Sequence, residues 1–121
     1  MISQDIEKGR LLKTSSKPRY SLAEMKELAR TGRFRPTNRV FEYLDDQYGE
    51  VGPKKVIMEV ISELDERDFV KSVELRNRPG VMADVYVGGW YDDTNWYVKA
   101  FIEDENLTLM VWSLAWDGSL H

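Results

Sequence analysis

The stretch Asp68-Phe69-Val70-Lys71-Ser72-Val73 marks the point where the chain changes from helical to extended sequence patterns. Three further runs rich in Val, Tyr, Trp, Phe and Thr follow it: Val81–Val87, Asn95–Glu103 and Leu107–Leu114. Turn residues such as Asn77-Arg78-Pro79-Gly80 separate these runs, and this arrangement is typical of β-strands joined by short connections. The second half of the chain is therefore predicted to form a small sheet.

Before this sheet, apolar residues recur at helical spacing. A capping box at Ser21-Leu22-Ala23-Glu24 predicts a first helix over residues 21–31. Thr37 can cap a second helix, and Pro53 suits the start of a third helix over residues 53–64. Helices followed by hairpin-linked strands predict an α+β fold, with three N-terminal helices packed on one face of a mainly antiparallel C-terminal sheet.

The chain is expected to contain one domain after a short leading segment. Residues 1–18 hold few apolar residues and no clear period, and Ser15-Ser16-Lys17-Pro18 is a break. This segment is predicted to be a flexible basic arm. Residues 19–121 are predicted to form a single α+β domain, because a chain of this length can bury a real core.

The composition excludes several kinds of chemistry. The chain has no cysteine, which excludes disulfides and thiolate sites and fits a cytoplasmic protein. The only histidine is His121, the last residue, so imidazole catalysis and His-ligated metal sites are not expected. We therefore expect neither a metal nor another cofactor. No apolar run approaches the length of a membrane span, so no membrane partner is expected.

The net charge of −4 hides an uneven distribution along the chain. Residues 1–58 carry 12 Lys/Arg and 8 Asp/Glu, whereas residues 59–121 carry 5 Lys/Arg and 13 Asp/Glu. The basic excess lies between Lys8 and Arg39, and a positive patch of this kind attracts phosphate backbones. A solvated helical face with a basic tail is the commoner meaning of such a charge run, and the acidic second half argues against a simple nucleic-acid coat.

Alternation along the predicted strands groups several polar side chains. Tyr97 and Lys99 share one side of their strand, while the other side is wholly apolar and is expected to face the helices. Asp84 and Tyr86 share the polar side of the preceding strand. If these two strands are neighbours, one exposed face collects all four side chains.

This predicted face suits cleavage of an RNA phosphodiester without metal. Lys71 would border it, and the turn residues Arg76 and Arg78 could flank it, so that cations stabilise the charge growing on the phosphorane oxygens. A Tyr hydroxyl can orient the 2′-OH or the leaving oxygen, and a carboxylate or a perturbed Lys can serve as general base. The alternative is an ordinary solvated face, where Tyr–Lys and Asp–Lys pairs add modest stability.

Short blocks with a defined order and spacing occur over residues 19–113. They are Tyr20-Ser21-Leu22 with the Lys26 helix, the Gly32-Arg33 break, Arg39, Asp68-Phe69-Val70-Lys71-Ser72, Asp84-Val85-Tyr86 and Tyr97-Val98-Lys99. In these blocks the chain resembles the MqsR family, the mRNA-cleaving toxins of bacterial type II toxin–antitoxin systems. The resemblance implies a RelE-like ribonuclease fold, metal-free cleavage of mRNA at short motifs, and a cognate antitoxin protein as partner.

The resemblance also implies roles for individual residues. Lys71 matches the lysine of the family's F-Y-K-S block, and Tyr97 matches the tyrosine of its later strand; both are implied to contribute to the active site. With Lys99 they form the predicted catalytic set. The predicted substrate-binding set is Arg76, Arg78, Asp84 and Tyr86.

The chain departs from the family pattern at four points. The family's W-Q pair is Met82-Ala83 here, so a glutamine implicated in cleavage is missing, and the tyrosine before Lys71 is Val70. The basic S-F-K-x-K ending is replaced by residues 113–118, and the whole chain is acidic where family members are usually basic. Two alternatives therefore stay open: a divergent non-catalytic RNA- or protein-binding domain of the same fold, and an α+β protein whose strand motifs only build its core.

Overall fold

A computed structural model describes the backbone of residues 2–7 and 10–118 and the side chains of residues 11–118. His121 lies outside these described residues. The elements within them are β1 (Ile2–Glu7), β2 (Arg10–Ser15), α1 (Leu22–Arg30), β3 (Phe34–Pro36), α2 (Asn38–Tyr48), α3 (Pro53–Ser62), a 3₁₀ turn (Glu66–Asp68), β4 (Phe69–Leu75), β5 (Arg78–Tyr91), β6 (Thr94–Glu103) and β7 (Thr108–Trp116).

The strands form one sheet in the order β1-β2-β4-β5-β6-β7-β3. Every neighbouring pair in it is antiparallel except β3 and β7, which run parallel. The predicted α+β class and the mainly antiparallel sheet are therefore confirmed.

The prediction that all three helices precede the sheet is wrong. The strands β1 and β2 come before the first helix, and β3 lies between α1 and α2. β3 is only three residues long and ends in proline, so no periodic pattern could reveal it. Its pairing with β7, from Phe34 opposite Leu109 to Pro36 opposite Val111, specifies it instead.

The segment predicted as a flexible basic arm contains the β1–β2 hairpin. β2 joins the main sheet through β4, with Thr14 opposite Val73 and Ser15 opposite Ser72. Leu12 and Thr14 are each 5% exposed, although Leu11 beside them is half exposed. The two adjacent leucines obscure the alternation that marks a strand, which is why the sequence pattern missed β2. The division of the chain at residue 18 stays a prediction.

The helices begin where their capping residues predict. The Ser21 hydroxyl accepts a hydrogen bond from the Glu24 N–H, and the Thr37 hydroxyl accepts one from the Val40 N–H. Pro53 occupies the first turn of α3, where its missing N–H costs nothing. The two hydroxyl caps satisfy backbone donors that a helix cannot pair internally, while Pro53 removes one such donor, so each of these helices has a defined start.

All three helices pack on one side of the sheet, which we call the helix face. Their apolar stripes meet strand residues that include Tyr86, Trp96, Val98, Ala100 and Leu114. The opposite side, which we call the open face, carries a smaller apolar cluster of Leu75, Ala83 and Phe101, with Met110 and Trp112 packed against it. The polar side chains of the open face therefore lie on a sheet surface that the helices leave uncovered.

A glycine permits the close approach of α3 to β5. Gly89 has φ +68°, and a Cβ built at this position would lie 2.6 Å from the carbonyl oxygen of Val60 in α3. Only glycine avoids both the left-handed backbone strain and the collision with main-chain atoms. The distance between the helix layer and the sheet at this point is therefore set by one missing side chain.

Replacing Gly89 by alanine should destabilise the fold more than the same change at another glycine with positive φ. The left-handed backbone costs a residue with a side chain about 1–2 kcal/mol, and the overlap with Val60 adds about 1–3 kcal/mol. Gly32→Ala is the matched control, because Gly32 has φ +77° but no atom within 4 Å of the added Cβ. Urea unfolding of both variants measures the difference, and equal losses would contradict this account of the packing.

Candidate functional site

The open face contains a concavity of about 300 Å³. We call it the cationic concavity, after the charged and hydroxyl-bearing side chains that line it: Arg39, Lys71, Glu74, Arg76, Tyr97 and Lys99. Its apolar lining includes Leu12, Leu75 and Trp112. Among the described residues, four cationic side chains against one carboxylate make this surface positive, although the net charge of the chain is −4.

Strand register brings the three predicted catalytic residues to this surface. Lys71 in β4 lies opposite Val85 in β5, and Val85 in turn lies opposite Lys99 in β6. Tyr97 lies opposite Val87 two positions along. Because directly paired residues point to the same side of a sheet, Lys71, Tyr97 and Lys99 share the open face. Two strand spacings separate the lysine backbones, about 10 Å, so a phosphate could lie between their side chains.

The predicted catalytic side chains differ in their exposure to solvent. Lys71 is exposed, whereas Tyr97 and Lys99 are half-buried. Burial raises the pKa of the Tyr97 phenol, so this hydroxyl is protonated at neutral pH. Tyr97 can therefore donate a hydrogen bond or a proton to a ligand in the cationic concavity, and it is poorly suited to act as a base.

Of the two arginines predicted to bind substrate, only Arg76 lines the cationic concavity. The guanidinium of Arg78 lies 5.5 Å from the centroid of the Phe101 ring and borders a different depression together with Arg19 and Asp104. Arg76 is in the turn that follows β4, whereas Arg78 opens β5. The two arginines therefore belong to separate parts of the open face.

The prediction that Asp84 and Tyr86 share an exposed face with Tyr97 and Lys99 is wrong. Asp84 lies opposite Ala100 and Tyr86 opposite Val98, which places both on the helix face. Their exposures are 0% and 2%. The alternation along β5 was predicted correctly, but the polar residues were assigned to the exposed side because polar side chains are usually solvated.

Asp84 is buried because the backbone supplies its hydrogen bonds. Its Oδ1 accepts from the Arg19 N–H at 2.9 Å, and its Oδ2 accepts from the N–H groups of Arg19 at 3.0 Å and Tyr20 at 2.9 Å. Burial raises the pKa of the Asp84 carboxyl, and these donors partly offset the rise. The carboxylate thus fastens the segment between β2 and α1 to the sheet.

A larger cavity of about 660 Å³ lies on the helix face, and Tyr86 forms part of its wall. Burial raises the pKa of Tyr86 to about 12. The wall also contains Asp65, Glu66 and Lys26, and the Lys26 Nζ donates a hydrogen bond to the Leu64 carbonyl at 2.7 Å. Two carboxylates against one engaged cation favour a polyanion here much less than the cationic concavity does.

The sequence patterns did not assign Arg39, Glu74 or Trp112 to the site. Arg39 lines the cationic concavity because β3, which the sequence patterns did not predict, pairs with β7 and so places the start of α2 beside that strand. Glu74 accepts hydrogen bonds from the Gly80 N–H of β5 at 2.8 Å and the Lys13 N–H of β2 at 3.2 Å, so its carboxylate is held by the main chain of the two neighbouring strands. The sequence had marked Arg39 as the end of the basic run and as one block of the family resemblance, but without a role in the site.

Among the described residues, no three His, Cys, Asp or Glu side chains lie close enough together to hold a metal ion. None of the helices in this part of the chain has the length and apolar character needed to cross a bilayer.

The chain matches the model of a known protein family. Residues 17–113 match a family model described as "Motility quorum-sensing regulator, toxin of MqsA". The matched range is well over half of the chain, and it includes every charged residue of the cationic concavity. The comparison with curated proteins found no match.

Removing the Asp84 carboxylate should destabilise the fold. In Asp84→Ala the N–H groups of Arg19 and Tyr20 lose their acceptor inside the protein, which costs about 1–3 kcal/mol for each group left unsatisfied. The exposed Asp45→Ala in α2 is the matched control and should change the free energy of unfolding by less than about 0.5 kcal/mol. Equal losses in the two variants, measured by urea unfolding, would show that Asp84 does not hold this segment.

The Asp84 carboxyl should also affect how the free energy of unfolding depends on pH. Because its pKa is raised above the ordinary 3.8, the folded state binds the proton more tightly than the unfolded state does. The stability of the wild-type protein relative to Asp84→Asn should therefore fall as pH rises from the ordinary value through the raised one. Paired unfolding curves over this range test the sign, and a relative gain in stability with rising pH would contradict it.

Proposed function

The chain belongs to the family of motility quorum-sensing regulators, toxins of MqsA, and on this premise we propose that it is a toxin that cleaves mRNA. It would act in the cytoplasm as part of a type II toxin–antitoxin system, with a cognate antitoxin protein as its partner. The observation that carries the ribonuclease proposal is the convergence of Lys71, Tyr97 and Lys99 on one open concavity.

The charge of the cationic concavity supports RNA as the substrate. Its described lining has four cationic side chains and one carboxylate. The second half of the chain as a whole is acidic, with 13 Asp/Glu against 5 Lys/Arg. Since an RNA chain carries one negative charge per nucleotide, it is attracted to this surface and repelled by carboxylates elsewhere on the chain. An open sheet face also leaves room for a strand of RNA, which a closed pocket would not.

The proposed reaction is an internal displacement that needs no metal. The ribose 2′-oxygen attacks the adjacent phosphorus, forming an O2′–P bond while the P–O5′ bond breaks. Lys71 and Lys99 neutralise the charge that grows on the phosphorane oxygens, and Tyr97 gives its proton to the leaving 5′-oxygen. The products are a 2′,3′-cyclic phosphate and a 5′-hydroxyl end.

The acceptor of the 2′-OH proton has to be a group on the open face, because Asp84 points away from it. Among the described residues that line the cationic concavity, the carboxylate belongs to Glu74. Its two oxygens are positioned by the N–H groups of Lys13 and Gly80. Strand register nevertheless puts Glu74 opposite Met82, on the side of the sheet that carries Asp84, and both of its oxygens already accept main-chain hydrogen bonds. Water that reaches the open face is therefore the acceptor that we assign to this step.

A non-catalytic RNA-binding domain of the same fold is the second candidate, and two small residues favour it. Ala83 stands where the family pattern has its glutamine, and Ala115 stands where the pattern has the first lysine of its basic ending. They are 0% and 3% exposed. Ala83 lies opposite Val73 and Ala115 lies opposite Tyr97, so both positions border the site and contribute no polar group.

Single substitutions at the proposed catalytic residues should lower RNA cleavage. Tyr97→Phe removes the proton donor, which costs about 10²–10⁴-fold in rate. Lys71→Ala removes charge stabilisation worth about 10²–10³-fold. The assay uses a defined single-stranded RNA with EDTA present, and it scores cyclic-phosphate ends. Lys54→Ala, an exposed lysine on α3, is the matched control and should cleave like the wild-type protein.

Induced expression in a bacterial host tests the toxin proposal in the cell. The wild-type chain should arrest growth and deplete mRNA, while Lys71→Ala and Tyr97→Phe should each relieve the arrest. If the folded wild-type protein bound RNA in a salt-dependent way but produced no cleaved ends, the non-catalytic alternative would replace the ribonuclease proposal. Cleavage that EDTA abolishes would refute the metal-free mechanism.

A further inference from the structure

Two hydrogen bonds and one strand pairing hold the start of α2 against β7. The Thr37 N–H donates to the Val111 carbonyl at 3.1 Å, and the Thr37 hydroxyl donates to the Trp112 carbonyl at 3.4 Å. Pro36 pairs with Val111 in the sheet. Arg39 follows two residues after Thr37, in the first turn of the helix, so its backbone is held close to Trp112 at the β7 end of the cationic concavity.

The Arg39 guanidinium is available to a ligand. The side chain is exposed, and within the described part of the chain it enters no ion pair or hydrogen bond. Two neighbouring arginines are engaged by contrast: Arg30 pairs with the Glu27 carboxylate, and Arg33 donates to the Asn106 and Leu107 carbonyls. The first turn of α2 holds no acidic residue that could neutralise Arg39.

A β-bulge turns Trp112 toward the same place. Lys99 lies opposite Ser113, yet its neighbour Ala100 lies opposite Val111, so Trp112 is the extra, unpaired residue of β7. Bulges of this kind redirect a side chain and are frequent beside active sites. The Trp112 ring is partly exposed, and it packs against Phe101 with the ring centroids 5.8 Å apart. This contact holds the indole in position while its remaining surface lines the cationic concavity.

We infer that Arg39 and Trp112 form a nucleotide-binding subsite next to the catalytic residues. The guanidinium fork of Arg39 binds a backbone phosphate of single-stranded RNA through paired hydrogen bonds. The neighbouring base stacks on the indole of Trp112. Lys99 is one strand spacing away, on the order of 5 Å, so the subsite holds the nucleotide adjoining the scissile phosphate. This inference rests on the proposed function for its substrate class, although it requires only binding and no cleavage.

The test uses a single-stranded RNA oligonucleotide with 2′-O-methyl ribose throughout, which lacks the nucleophile and cannot be cut. Its Kd is measured by fluorescence anisotropy at several NaCl concentrations. Arg39→Ala should weaken binding about tenfold to a hundredfold, because a charge-assisted hydrogen-bonded contact is lost. It should also lower the slope of log Kd against log salt by about 0.7, the value for one phosphate contact on a single strand.

Two further variants and a control test separately the geometry of the Arg39 contact with phosphate, the stacking of a base on Trp112, and the effect of removing a charge elsewhere. Arg39→Lys should keep the salt slope but recover only part of the affinity, because an ammonium cannot make the bidentate contact. Trp112→Phe should weaken binding by about tenfold with no change in slope, and thermal unfolding confirms that it is folded. Lys54→Ala removes one positive charge from α3, outside the cationic concavity, and should match the wild-type protein in both affinity and slope.

The outcomes distinguish this subsite from the proposed catalysis. If Arg39→Ala binds with the wild-type Kd and slope, or if the wild-type protein does not bind the oligonucleotide, the subsite is overturned. A loss of cleavage of unmodified RNA at unchanged affinity also overturns it, because Arg39 would then act in the chemical step. If the wild-type protein cuts no RNA and the slope still falls in Arg39→Ala, the subsite stands and the ribonuclease proposal fails.

Discussion

The register of β6 against β5 is the constraint on which the rest of the structure depends. Side chains alternate along a strand, so a slip of one residue would send Tyr97 and Lys99 under the helices and expose their neighbours. Those neighbours, Trp96 and Val98, are 0% and 1% exposed. Burying side chains of this size stabilises a fold by roughly 1.5–3 kcal/mol each. Apolar burial on the helix face therefore holds the tyrosine and the lysine on the open face.

The sheet separates polar groups that have opposite physical roles. Asp84 and Val85 are adjacent in β5, yet Asp84 is sealed on the helix face while Val85 lies between Lys71 and Lys99 on the open face. The Asp84 carboxylate exchanges water for backbone N–H donors and holds the chain before α1 in place. A buried charge satisfied in this way stabilises structure, whereas the lysines keep access to ligands. Polarity alone does not distinguish the two roles.

Charge distribution explains how an acidic protein could attract RNA at one place. The chain carries a net charge of −4, and Asp65 and Glu66 line the larger cavity on the helix face. Such carboxylates repel a polyanion, while the cationic concavity attracts it. The carboxylates of the helix face would thus favour binding of RNA at the open face. A uniformly basic surface would also bind it, but without confining it to the proposed catalytic residues.

Local patterns determined much of this protein. Short-range sterics and hydrogen bonding determine the helix starts at Ser21, Thr37 and Pro53 and the alternation of side chains along the strands, and the sequence expresses both directly. The same alternation predicted that the side chains of Tyr97 and Lys99 lie on one side of the sheet. Short, polar or irregular segments carry no such signal. The sequence patterns therefore did not predict β2 or β3, nor that the helices lie between strands in the order of the chain.

The remaining features were decided by contacts between residues far apart in the chain. Asp84 is buried because the N–H groups of Arg19 and Tyr20 reach it, and no local pattern reports those donors. Arg39 joins the site only because β3 pairs with β7. Sequence by itself determined which residue types alternate and where helices start. Only the tertiary structure decided which side of the sheet is covered, because that depends on where distant donors and apolar faces find their partners.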